Sequence, residues 1–183
     1  MGIALITSKM IAVFVGPGGM AYIGNFRNFM TSLEGISTLA FSSGVVKYVG
    51  ENEDKEKELT KIITTVLVTF LVFSTVLGFL IFVFSDFLCA KFFGNNLQYE
   101  IVFKVVAIVL PFSVVSVLFV SIINGLGSYS KLIYATIISN IVALVLTVLL
   151  IYEFKLVGAL LSIALNPTIL FTINFFYVPK ELD

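Results

Sequence analysis

Hydrophobic residues run along the chain in long stretches that are separated by short polar segments. The clearest stretch, Ile62 to Phe84, contains 23 residues and no charged side chain. As a helix it would be about 34 Å long, enough to cross the roughly 30 Å of hydrocarbon in a bilayer. Because the pattern recurs, we predict an all-α, polytopic membrane helix bundle of about six transmembrane helices. The approximate spans are 2–15, 20–46, 62–84, 101–126, 132–154 and 156–178.

The first two spans are predicted to form a helix hairpin. Residues 2–15 are apolar but short for a complete span, so we interpret them as a helix that is truncated at its N-terminus. Gly16, Pro17 and Gly19 favour a tight turn after it. A signal peptide is the alternative interpretation of residues 2–15, but a charged start and a small-residue cleavage site are both absent from them.

Other polar and small residues punctuate the predicted bundle. Residues 47–61 carry a dense run of charges, which is typical of a solvated cytoplasmic loop or helix extension. Residues 85–100 mix phenylalanines with charges and predict a short helix in the membrane interface. Pro111 and Pro167 lie inside spans, where proline usually kinks a helix. Asparagines expected to hydrogen-bond between helices are Asn124, Asn140, Asn166 and Asn174, and glycines expected at close helix contacts are Gly35, Gly44, Gly78 and Gly158.

Lysines in the connecting segments predict the orientation in the membrane. Lys9 and Arg27 are not counted because they lie inside spans. One side holds Lys47, Lys55, Lys57, Lys61, Lys131 and Lys180, whereas the other holds Lys91, Lys104 and Lys155. Basic residues accumulate in cytoplasmic segments. We therefore expect both chain ends and the segment 47–61 to be cytoplasmic.

Composition narrows the class of function. Hydrophobic residues make up 59% of the chain and charged residues 12%, against about 25% charged residues in soluble domains. A soluble enzyme, a nucleic-acid-binding protein and a disordered tail are excluded. The chain has no histidine, and its single cysteine, Cys89, leaves no metal-binding pattern. We expect a membrane transporter or scaffold, not an enzyme, with no cofactor and no metal.

Charges inside predicted spans are functional candidates, because a charge in hydrocarbon is costly. Lys9 lies six residues before Val15, and Arg27 lies seven residues after Met20. Each is therefore about 9–10 Å along its helix from the turn, and the hairpin brings the two cations to similar depth. Arginine offers a planar fork for phosphate and lysine a point charge, so the pair suits an anionic substrate group.

One face of the second span is polar along its length. Its members are Arg27, Thr31, Glu34, Thr38 and Ser42. At 100° per residue they fall within an arc of about 80°, and because lipid-facing polar groups are disfavoured, the stripe predicts a wet cavity. In the alternative interpretation, Arg27 and Glu34 neutralise each other and only hold helices together. The candidate substrate-binding residues are Arg27, Lys9, Glu34, Thr31 and Thr38.

Several short motifs form a family-like pattern, mostly within the first fifty residues. They are Lys9, the turn at residues 16–19, Asn25-Phe26-Arg27, the segment Gly-Val-Val-Lys-Tyr-Val at 44–49, and the later Phe93-Gly94-Asn95. This pattern resembles the opening of the Wzx-type O-antigen translocases. Within that family it is most similar to the flippases of lipid-linked enterobacterial common antigen and O-antigen units.

The resemblance implies the N-terminal bundle of a MATE-like exporter fold. Such proteins move an undecaprenyl-pyrophosphate-linked oligosaccharide from the inner to the outer leaflet of the bacterial inner membrane by alternating access. Cationic cavity residues hold the pyrophosphate in this family, which implies that role for Lys9 and Arg27. The implied partners are the lipid-linked oligosaccharide, the lipid bilayer, and a second six-helix half or polysaccharide-assembly proteins, with no nucleic acid.

The chain departs from the family in length and at Glu34. Family members have about twelve spans in two bundles, so we expect an N-terminal fragment, one half of a split transporter, or a remnant that no longer transports. Glu34 stands where the family has small or apolar residues, which leaves its role open. Two other functions stay open as well: a fragment of a cation-coupled multidrug exporter that uses Glu34, and an accessory membrane protein that does not transport.

Overall fold

The computed structural model describes the backbone of residues 2–52, 55–94, 96–127 and 129–177; the side chains of residues 2–15, 17, 56, 129, 131, 176 and 177 are not described. This described part forms six α-helices and a short 3-10 turn at Leu97–Tyr99, without β-strands. The helices are α1 (Gly2–Ser37), α2 (Ser42–Glu51), α3 (Glu56–Val83), α4 (Ser85–Phe93), α5 (Glu100–Gly125) and α6 (Tyr129–Tyr177). The predicted all-α fold class is confirmed.

Three helices in the described ranges are long and apolar enough to cross a membrane, over Lys57–Val83, Leu97–Gly125 and Leu132–Phe175. With 49 residues, α6 would be about 74 Å long if it were straight, more than twice the hydrocarbon thickness. It is not straight, because Lys155 interrupts its helical backbone at φ 51° and ψ −120°. The structure is therefore that of a multi-pass membrane bundle.

The two parts of α6 run back along each other from this break. Gly158 packs onto the backbone carbonyl of Leu150, where a Cβ would collide. Further from the break, Asn140 and Asn166 line the same cavity. In both pairs, Leu150 with Gly158 and Asn140 with Asn166, one residue precedes Lys155 and the other follows it at a comparable distance along the chain. This is the pairing expected of two antiparallel helices joined near Lys155. The break lies between the ranges 132–154 and 156–178, which the sequence predicts as separate spans.

Helix α5 occupies the centre of the bundle and packs at both of its ends. Near its start, Phe103 is fully buried among the rings of Phe29, Phe92 and Phe93, with ring centroids 5.8–6.1 Å away. This aromatic cluster joins α5 to α1 and α4. Near the end of α5 a second cluster joins it to α2 and α3 through Val45, Val49, Phe70, Val114 and Leu118.

The crossing of α3 and α5 is close because of a glycine. A Cβ on Gly78 would lie 2.6 Å from the carbonyl oxygen of Ala107. Pro111 stands four residues after Ala107 inside α5, and since proline has no N–H, this carbonyl loses its helical donor. The Cα–H of Gly78 is placed to make a weak contact with the freed oxygen. Gly78 thus lets α3 approach α5 at the carbonyl that Pro111 leaves without a helical donor.

The predicted span 20–46 is not one helix, and its polar stripe is interrupted. Helix α1 ends at Ser37, and Leu39 and Ala40 both have positive φ, 50° and 52°. The Leu39 N–H donates to Ile36 and the Ala40 N–H to Gly35, a Schellman-type end that satisfies the last carbonyls of the helix. Ser42 therefore belongs to α2, not to the helix that carries the rest of the stripe.

Other helix boundaries and turns differ from the predicted ones for reasons of local sequence. The turn predicted at Gly16, Pro17 and Gly19 is a break at Gly16 alone, because proline fits the first position of the helix that follows. The charged segment 47–61 is mostly helical, since its glutamates and lysines are good helix formers and Lys47 pairs with Glu51 at 3.8 Å. The helical conformation of α5 and α6 continues through Pro111 and Pro167.

Candidate functional site

A polar cavity of about 520 Å³ opens where α1 ends, α2 begins and α5 approaches both arms of α6. Its polar lining consists of Glu34, Ser42, Ser43, Ser113, Ser116, Ser121, Asn124, Thr136, Ser139, Asn140 and Asn166. Its apolar lining consists of Val46, Val117, Val120, Pro167 and Leu170. Of its sixteen lining residues, eleven carry a hydroxyl, amide or carboxyl group, in a chain that is otherwise strongly apolar.

Helix α5 supplies a serine face to the cavity. Its lining residues recur every three or four positions from Ser113 to Asn124, as expected for one side of a helix. The hydroxyls of Ser113 and Ser121 donate to backbone carbonyls within α5, at 2.8 and 2.9 Å. The buried hydroxyl of Ser116 has no hydrogen-bond partner in the described part of the chain. Buried polar groups are normally paired, so Ser116 Oγ is a polar atom that the surrounding described residues leave unsatisfied.

Glu34 is the charged residue that the structure places at this cavity. It is half-buried, and it lies on the last turns of α1. Thr38, which follows one turn later, is buried and donates its hydroxyl to the Glu34 carbonyl at 2.8 Å. Its side chain therefore helps to end the helix and is not among the cavity-lining residues.

Arg27 and Thr31 lie on the same side of α1 as Glu34 but are exposed and are not among the lining residues of the cavity. The Thr31 hydroxyl donates to the Arg27 carbonyl at 3.0 Å. Arg27 forms no ion pair with Glu34 in the described structure. Of the predicted site residues, Lys9 has its backbone in α1 and its side chain outside the described residues.

The exposed side of α1 beyond Gly16 is mostly polar. Its buried side consists of Ile23, Phe26, Met30, Leu33 and Ser37. Its exposed side includes Gly24, Asn25, Arg27, Asn28, Thr31, Ser32 and Gly35. This polar face continues from the cavity along the helix. Its residues stay exposed, although Asn25, Asn28 and Ser32 border a hollow that Lys91 and Phe92 of α4 also line.

Sequence reasoning missed most of the cavity. The serines of α5 and the pair Thr136 and Ser139 were not identified from the sequence. Their spacing of three or four residues is nevertheless typical of a polar helix face. Three of the four highlighted asparagines line the cavity. The fourth, Asn174, is fully buried, and its side-chain amide has no partner among the described residues.

Comparison with known proteins supports a family assignment. Residues 27–181 match the family described as "Polysaccharide biosynthesis protein". The "Lipid III flippase" proteins of Escherichia coli (strain K12) and Shigella flexneri are each 29% identical over 173 residues. The alignments cover 92% of this chain and 40% of each relative, so the chain spans less than half the length of these relatives. No solved structure matches it.

These matches confirm the resemblance to polysaccharide flippases that the N-terminal motifs indicate. The family match also extends beyond those motifs, because it includes the whole of α2 to α6. The chain therefore belongs to the polysaccharide biosynthesis protein family.

Proposed function

We propose that this chain forms the N-terminal part of a flippase that moves an undecaprenyl-pyrophosphate-linked oligosaccharide across the bacterial inner membrane. The observation that carries the proposal is the polar cavity inside an apolar bundle. Sugars present many hydroxyl groups, and a lining of serine, threonine and asparagine offers donors and acceptors to them without a fixed charge. The family and the two relatives named for lipid III flipping support the same substrate class.

The polar residues near the cavity have separate roles in this proposal. Glu34 accepts hydrogen bonds from sugar hydroxyls, and a charged acceptor makes such bonds stronger than a neutral one does. Arg27, about two turns before Glu34 on the same helix, binds the pyrophosphate with its planar guanidinium, and Lys9 adds a second positive charge. The orientation with both ends in the cytoplasm and the location in the inner membrane belong to the proposal as well.

The exposed polar face of α1 supports the idea of a second bundle. Polar groups that face lipid are disfavoured, so this face needs a partner or a water-filled space. In the proposed flippase the rest of the transporter lies across from it, and the cargo passes between the two halves. Alternating access of this kind places the binding site at the interface of two bundles.

A cysteine test examines whether the cavity is wet. We expect Asn140→Cys to react with a water-soluble thiol reagent in membranes, because Asn140 lines the cavity. Ile141→Cys is the matched control: it is the next residue, 52% exposed and outside the cavity lining, and we expect lipid to protect it. Equal labelling of the two cysteines, or none at Asn140→Cys, would contradict a water-filled cavity.

A chimera tests transport itself. In it, this chain replaces the matching 40% of the Escherichia coli lipid III flippase, and surface polysaccharide is measured in a strain that lacks that flippase. We expect a functional chimera, and Arg27→Ala or Glu34→Gln should each lower export about tenfold, as expected from losing one charged hydrogen bond. Lys47→Ala, an exposed charge outside the cavity, is the control. Normal export by both the Arg27→Ala and the Glu34→Gln variant at equal protein levels would reject the proposed roles.

A further inference from the structure

A second hollow lies between α2 and α3, separate from the polar cavity. It has a volume of about 450 Å³, within the roughly 300–1,000 Å³ of typical small-ligand sites. Its lining consists of Leu39, Phe41, Gly44, Val45 and Tyr48 on one side, and Glu58, Lys61, Ile62, Thr65, Val66, Thr69 and Phe70 on the other. We call it the α2–α3 groove.

The α3 wall of the groove is a single helical stripe with a polar end and an apolar length. Its residues recur every three or four positions from Glu58 to Phe70. The twelve helical steps from Glu58 to Phe70 rise about 18 Å, close to the roughly 15 Å of hydrocarbon in one leaflet. The charged residues stand at the start of the stripe, and the buried ring of Phe70 stands at its far end.

The threonines in the stripe do not make it polar. The Thr65 hydroxyl donates to the Lys61 carbonyl and the Thr69 hydroxyl to the Thr65 carbonyl, both at 2.8 Å. With the hydroxyls bonded to the helix backbone, these side chains contribute methyl groups to the groove. Along most of its length the groove therefore suits a hydrocarbon chain.

The polar end carries one base and one acid. Lys61 and Glu58 are three residues apart, neighbours on the helix surface, and neither forms an ion pair with another residue that the structure describes. Both are exposed, and the amphipathic ring of Tyr48 stands at the groove as well. A phosphate next to Lys61 and an ammonium next to Glu58 would each meet an opposite charge, whereas a purely anionic headgroup would meet repulsion from Glu58.

We propose that the α2–α3 groove binds a zwitterionic phospholipid of the phosphatidylethanolamine type. One acyl chain lies along α3, the phosphate contacts Lys61, and the ammonium contacts Glu58. The bound lipid fills the space between α2 and α3 below the helix break at residues 38–41. This site is independent of the cargo cavity and of the transport proposal.

Tryptophan fluorescence tests the proposal without background, because the chain contains no tryptophan. The full chain carrying Tyr48→Trp is reconstituted in bilayers of equal parts phosphatidylethanolamine and phosphatidylglycerol, with brominated chains on either one lipid or the other. We expect brominated phosphatidylethanolamine to quench Trp fluorescence about threefold more, which corresponds to about 0.65 kcal/mol of preference. Tyr152→Trp is the control, since Tyr152 is 77% exposed and lies outside the groove. Both lipids should quench it equally.

Charge variants decide whether the groove's polar end causes the preference. Glu58→Gln together with Lys61→Gln, added to Tyr48→Trp, should equalise quenching by the two lipids, while Lys47→Gln should leave the preference intact. Helicity by circular dichroism confirms that each variant is folded. Equal quenching in the parent Tyr48→Trp protein, a preference for phosphatidylglycerol, or no quenching by either lipid because a protein segment fills the groove, would overturn the proposal. So would a preference that survives the double substitution.

Discussion

Single residues with positive φ mark where helices of this protein break. Gly16 has φ 76° and ψ 176°, a conformation that is essentially restricted to glycine. Leu39, at φ 50°, occupies the helix-end position where glycine is usual. The first break could be predicted, because a glycine next to a proline is a direct signal of backbone geometry. The second could not, because leucine favours helix and only the tertiary structure holds it in this conformation.

Exchanges at these two positions should shift stability in opposite directions. We expect Gly16→Ala to lower the free energy of unfolding by about 1–3 kcal/mol, and Leu39→Gly to raise it by about 1 kcal/mol, since left-handed backbone is costly for a leucine. Gly24→Ala is the control, because Gly24 is helical and its Cβ position is open. A higher stability for Gly16→Ala than for Gly24→Ala would contradict the strained geometry.

The single cysteine, Cys89, makes it possible to measure the stability of the Gly16→Ala and Leu39→Gly variants. Cys89 is 1% exposed, and burial raises the pKa of its thiol. Its sulfur also donates to the Asn96 carbonyl at 3.3 Å. Because the thiolate is the reactive form, Cys89 should react with a thiol-specific dye only after unfolding. Heating the detergent-purified chain with such a dye then gives a Tm for each variant.

At the scale of helices, close contacts depend on which small residue meets which backbone. Hydrophobic run length predicted that α3 and α5 exist, since twenty or more apolar residues have few other stable conformations. It did not predict how they cross. Of the four glycines expected at close contacts, Gly78 and Gly158 meet a backbone carbonyl, Gly35 has open space, and Gly44 has only the Phe41 ring at 3.6 Å. Sequence alone does not show which face of a uniformly apolar helix is covered.

Gly78→Ala should loosen the crossing of α3 and α5. The added methyl would lie 2.6 Å from the Ala107 oxygen, so the helices must separate, at a cost of about 1–3 kcal/mol. Gly35→Ala is the matched control, because nothing lies within 4 Å of its Cβ position. We expect the Tm from Cys89 labelling to fall for Gly78→Ala and to stay or rise for Gly35→Ala. Equal values for both variants would rule out a tight contact at Gly78.

At the scale of the whole molecule, the cavity combines residues that are far apart in sequence. Glu34 and Asn166 line it together, although they are separated by more than 130 positions. Periodicity within one helix identified Glu34 and the polar side of α1, because that signal is local. The serines of α5 and both arms of α6 join the site only through the fold of α6 about Lys155. The exposure of Arg27 and Thr31 likewise depends on how the helices assemble, because the bundle places these residues next to the cavity but not inside it.

The orientation of the bundle gives a prediction about the molecule as a whole. Helix α3 is long enough to cross a membrane, so we expect the residues before and after it to lie on opposite sides. The excess of lysines before α3 predicts that its start is cytoplasmic. In intact spheroplasts, a membrane-impermeant maleimide should therefore label Leu97→Cys and not Lys57→Cys, both made in a Cys89→Ala background. Lysis should make Lys57→Cys reactive, which shows that its thiol is accessible from the cytoplasmic side. Labelling of Lys57→Cys in intact spheroplasts, with Leu97→Cys protected, would reverse the orientation. In that arrangement the lysines of segment 47–61 would face the periplasm. The polar cavity, which lies at the same end of the bundle, would open to the outer leaflet.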